Sequence, residues 1–137
     1  MNVLIIDGQG GKIGKLLIEG IKVAGIAAEI TAVGTNSIAT STMLKAGADN
    51  AATGENAVAV NCRRADVIIG PVGIVIADSL YGEVSPAMAI AVGQSSAQKM
   101  LLPVNQCSSY VAGVPDLTFG SLVSDIIAQL KKWIETQ

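Results

Sequence analysis

Short apolar runs of strand length recur along this chain, and nearly all of them lead into a segment of helical period. "NVLII" (2–6) precedes a stretch in which Ile13, Leu16, Leu17, Ile21 and Ala24 share one helical face and Lys12, Lys15, Glu19 and Lys22 the other, with Gly25 as the stop. "EITAVG" (29–34) precedes "SIATSTMLKAG" (37–47), and a brief edge strand at 49–52 precedes "ENAVAVNCRRA" (55–65). "DVIIG" (66–70) and "KMLLPV" (99–104) are further strands. Ser85-Pro86 supplies a capping hydroxyl and a proline for the first turn of "AMAIAVG", a helix apolar on every side that belongs under cover or in an interface. The closing helix carries the stripe Leu122, Val123, Ile126, Ile127, Leu130, Trp133 and Ile134.

Continuous rather than alternating apolar runs mark strands buried on both faces. Strand–helix alternation with right-handed crossovers then calls for a parallel sheet between two helical layers. The expected fold is α/β: one Rossmann-like domain over residues 1–137, three-layered, its open, mainly parallel sheet ordered 3-2-1-4-5. "YVAGV" (110–114) is a candidate sixth strand.

The turn after the first strand, Asp7-Gly8-Gln9-Gly10-Gly11-Lys12-Ile13-Gly14, approaches the dinucleotide fingerprint G-x-G-x-x-G without matching it. Gly8 and Gly10 fill the first two slots and leave Ile13 in the third; Gly11 and Gly14 fill the last two and leave Gln9 in the first. A phosphate-binding Walker A loop is excluded, since Gln9 and Leu16 stand where glycine and a hydroxyl residue are needed. A helix N-terminus behind a glycine turn nevertheless offers main-chain N–H groups to an anion, and Lys12 or Lys15 adds charge. Asp7 opposes that reading; the competing one makes Asp7 an Asx-type turn residue and the glycines mere turn formers.

In open sheets of this kind ligands sit beyond the carboxyl ends of the strands. Those ends carry Asp7 to Gly14, then Gly34, Thr35 and Asn36, then Thr53 to Asn56, then Gly70, Pro71, Val72 and Gly73, then Asn105 and Gln106. The candidate binding set is Gly8, Gln9, Gly10, Gly11, Lys12, Ile13, Thr35, Asn36, Gly70, Pro71, Val72 and Gly73. Thr35 and Asn36 replace the Asp or Glu that usually grips an NAD ribose. NAD(P) is therefore one candidate beside a smaller nucleotide or a phosphate ester.

Composition narrows the chemistry. The chain has no histidine, which excludes His-based triads and imidazole acid–base catalysis. A net charge of −2 gives no footprint for nucleic acid or an anionic membrane. The apolar run 67–77 is about half a membrane span, and no basic region precedes "NVLII". Cys62 and Cys107 lack CxxC spacing and read as reduced thiols, so a cytoplasmic location is expected. Half the residues are apolar and only 15% are charged, too few charges to cover the surface, so a homo-oligomer, most simply a two-fold dimer, is expected.

Among the remaining candidates, Tyr81 lacks the Tyr-x-x-x-Lys partner of a short-chain reductase, because Ser85 follows at that spacing. Asp78 and Glu83 are a candidate carboxylate pair or metal ligands, or else solvated loop residues; Cys107 is a candidate nucleophile or a loop thiol.

The segments "IDGQGGKIG" (6–14), "GTN" (34–36), "MLKAGAD" (43–49), "ATGENA" (52–57), "GPVGIVIADS" (70–79), "GEVSPAMA" (82–89) and "LLPVNQC" (101–107) resemble a family of small bacterial Rossmann-like proteins of unknown function. That resemblance implies the fold and the cytoplasmic location, and no activity. The expected function is a small binding module for a nucleotide or phosphorylated metabolite, whose glycine turn presents unpaired N–H donors. The alternatives are a small enzyme using Asp78 or Glu83, with or without a metal, on a phosphorylated or carbonyl substrate, and a structural oligomer with an empty rim.

Overall fold

The computed structural model describes residues 1–104 and 109–137. Its elements are β1 (Asn2–Asp7), α1 (Lys12–Val23), β2 (Glu29–Gly34), α2 (Ser37–Lys45), β3 (Asn50–Thr53), α3 (Glu55–Cys62), β4 (Val67–Pro71), α4 (Pro86–Gln94), β5 (Gln98–Leu102) and α5 (Phe119–Glu135). A 3-10 turn over Val72–Val75 follows β4. All strand pairings are parallel and the order is β3-β2-β1-β4-β5, as the alternating pattern requires.

Side chains alternate across β1, and both sets are buried because helices cover both faces. Val3 and Ile5 pack with Ile13, Leu17, Ile18 and Ile21 of α1 and with the apolar stripe of α5. Leu4 and Ile6 pack on the other side with Val58 of α3 and with Met88 and Val92 of α4. The layers are thus α1, α2 and α5 on one face and α3 and α4 on the other.

Helix ends follow local chemistry. Gly25, at φ 69°, ends α1 in a Schellman motif: its N–H donates to Lys22 O, and Ile26 N–H donates to Ile21 O. Ser85 caps α4, its hydroxyl accepting from Met88 N–H, and Thr118 caps α5 in the same way through Ser121 N–H.

The proposed sixth strand does not form: residues 110–114 are irregular, Gly113 turns at φ 79° and Tyr110 is exposed. A left-handed glycine followed by Pro115 cannot sustain a pairing strand. Among the described residues no helix is long and apolar enough to cross a membrane.

Candidate functional site

Register sets the geometry of the rim. Asp7 pairs with Gly34, so β1 and β2 end level and the next residues, Gly8 and Thr35, lie side by side. Asn36 caps α2, its Oδ1 accepting from Ala39 N–H at 2.9 Å, which turns its Nδ2 back toward the glycine turn, where it donates to Gln9 O at 2.9 Å. The turn itself closes through Gly11 N–H to Gly8 O at 3.0 Å.

Asp7 is 5% exposed and organises this corner from beneath. Its Oδ1 accepts from Gly8 N–H and its Oδ2 from Gly14 N–H, both at 2.8 Å. The bond to Gly14 reaches across the whole turn, so Asp7 is not the Asx-turn residue of the competing reading but a buried carboxyl at the N-terminus of α1. Burial pushes its carboxyl above the usual range, against the pull of the N–H groups of Gly14, Gly8 and Ile13. The charge of Glu83 pushes in the same direction as burial.

Glu83 comes from the long connection between β4 and α4, and its position was not legible in sequence. One oxygen, Oε1, accepts three hydrogen bonds: from Thr35 Oγ1 at 2.7 Å, Asn36 Nδ2 at 2.7 Å and Gln9 N–H at 2.9 Å. Partial burial alone would raise its pKa. The donors from Gln9, Thr35 and Asn36 outweigh that and hold the carboxyl below its ordinary range. A carboxylate so stabilised is a poor general acid. Glu83 is thus half-buried, with Oε1 engaged by three donors, whereas Asp78 is exposed.

The segment that delivers Glu83 is strained. Asp78, Leu80 and Tyr81 have left-handed backbones, at φ 66°, 55° and 57°, a conformation that costs such residues on the order of 1–2 kcal/mol each. Three ties hold the loop: Leu80 is buried at 3% exposure, the Ser79 hydroxyl donates to Gly73 O, and Asp78 N–H donates to Val84 O at 2.8 Å.

The glycines divide by role. A Cβ at Gly8 would stand 2.6 Å from Thr35 Oγ1 and 2.9 Å from Glu83 Oε1, so this glycine makes room for the carboxylate. Gly14 admits the side chain of Met43, which allows α1 and α2 to approach closely. Gly70 faces Ile6 O of the neighbouring strand. Gly10 alone in the turn faces open space, with nothing within 4 Å of a built Cβ.

The expected donor array is therefore largely spent inside the protein. The N–H groups of Gly8, Gln9, Gly11 and Gly14 have internal acceptors, leaving those of Gly10 and Lys12 without one among the described residues. Ile13 points into the core rather than the rim. The Lys12 ammonium lies over the Phe119 ring, 5.2 Å from its centre. Pro71, at the end of β4, and Gly73, within the 3-10 turn, are buried, and Val72 is half-buried. Asn105, Gln106 and Cys107 lie outside the described residues. Cys62 is a core thiol whose pKa burial pushes up to about 11, with Lys99 pulling it partly back. Among the described residues no group of three or more Cys, Asp or Glu side chains is placed to hold a metal.

Strand order and rim together define a Rossmann-like α/β protein whose polar groups gather beyond the carboxyl ends of β1 and β2. Residues 2–135 match the family described as Domain of unknown function (DUF3842), and the chain belongs to that family. No curated protein matches the chain.

Proposed function

We propose that this protein is a small binding module for a nucleotide or a related phosphorylated metabolite, held across the carboxyl rim of β1 and β2. The observation that carries the reading is the position of Glu83. Doubly wound sheets that bind nucleotides grip the ribose hydroxyls with an acid at the tip of the second strand. The residues following β2 here are Thr35 and Asn36, but both donate to Glu83, so a carboxylate stands at that tip in space.

The internal bonds of Glu83 all fall on Oε1, which leaves Oε2 to accept from a ligand hydroxyl. The N–H groups of Gly10 and Lys12, at the positive end of α1, supply donors for a phosphate, and the open space at Gly10 admits it. The phosphate contact in this reading is narrower than the full turn, because Asp7 and Glu83 hold the remaining donors.

Thermal melts against a panel of mono- and dinucleotides, NAD(P) included, test the reading. A ligand at a hundredfold excess over its Kd should add about 2.7 kcal/mol of stability. Glu83→Gln and Gly10→Ala should each reduce that gain. A panel that leaves the melting temperature unmoved refutes the proposal.

A further inference from the structure

Helix α4, "PAMAIAVGQ", contains no charged residue. Its inner side fills the core through Met88, Ala89 and Val92. Its outer side is not under cover: Pro86, Ala87, Ile90 and Gly93 are exposed, Ile90 to 54%. Surface helices ordinarily turn charge toward water, as α1 does with Lys12, Lys15, Glu19 and Lys22.

Helix α3 lies alongside in the same direction, tied at both ends. The Ser85 hydroxyl donates to Glu55 Oε2 at 2.6 Å, and the Ser95 hydroxyl donates to Cys62 O at 2.7 Å. Between the two helices runs an open groove of about 630 Å³, lined by Ala59, Ala87, Ile90 and Ala91 together with Arg63 and Gln94. Two exposed charges bracket α3: Glu55 is its first residue, beside the N-cap of α4, and Arg63 is its C-cap, at the groove. Neither forms an ion pair among the described residues, where the one salt bridge joins Lys22 and Asp49.

We propose that the outer α3–α4 face docks a second copy of this chain in a two-fold dimer that packs the helices of both copies against each other. A two-fold axis perpendicular to the helices runs the partner's pair antiparallel. Glu55 of each copy then meets the partner's Arg63, and the uncharged centre meets itself. A pattern with opposite charges at its two ends is self-complementary under that operation, which selects another copy over an unrelated protein.

Sedimentation velocity at micromolar concentration tests this on the full chain. The wild type should sediment as a dimer, and Ile90→Glu as a monomer with an unchanged far-UV circular dichroism spectrum. Arg63→Glu and Glu55→Arg should each weaken the dimer roughly tenfold, a change of about 1.4 kcal/mol, and the double exchange should restore it. A monomeric wild type overturns the proposal, as does a dimer that survives Ile90→Glu or a double exchange that restores nothing. If Ile90→Glu fails to fold, the charge exchange decides alone.

Discussion

Gly8 and Gly10 stand two residues apart in one turn and answer to different constraints. A methyl group at Gly8 would press on Thr35, Leu80 and Glu83, all closer than 3 Å. Gly8→Ala is expected to cost about 1–3 kcal/mol, the range for overpacking a filled site. Gly10→Ala meets nothing and should stay within about 0.5 kcal/mol of the wild type. Urea unfolding of the two variants checks the contrast. The same corner has a readable pH signature. Glu83 titrates in the native state below its ordinary value of 4.5. Its contribution to stability is therefore complete above that value and is lost as pH falls through the native pKa. Asp7 has the opposite sign: its native pKa lies above 3.8, so acid protonates the folded chain first and stabilises it relative to the unfolded one. The stability advantage of wild type over Glu83→Gln should accordingly shrink as the pH falls below 4.5. An advantage constant across that range would show that the three donors do not favour the ionised form.

Helices α1 and α5 show how much an element discloses before it is folded. Both carry stripes at helical spacing, and both bury them: Ile13, Leu17 and Ile21 in one, Leu122, Val123, Ile126 and Leu130 in the other. Leu130 is fully buried, so Leu130→Ala should destabilise by about 2–5 kcal/mol, measurable as a shift in the denaturant midpoint with little change in slope. The five strands and their order were legible for the same reason, since continuous apolar runs separated by helical periods admit few parallel topologies. The sixth strand was misread because "YVAGV" has strand composition while Gly113 and Pro115 deny it strand geometry. The glycine turn was legible as a corner but not as a filled one. Its acceptor, Glu83, lies 74 residues from Gln9, and no local period connects them. The gap after β2, where an acid was wanted and Thr35-Asn36 found, was the one local trace of it.

On the scale of the whole molecule, the donor corner is assembled from both halves of the fold. Gln9, Thr35 and Asn36 come from the first two βα units, and their shared acceptor arrives only after β4 has been laid beside β1. Pairings so distant in the chain close long loops and carry the entropy cost of doing so. A chain cut short before residue 83 would therefore keep both strand ends and lack the one acceptor that Gln9 N–H, Thr35 Oγ1 and Asn36 Nδ2 share.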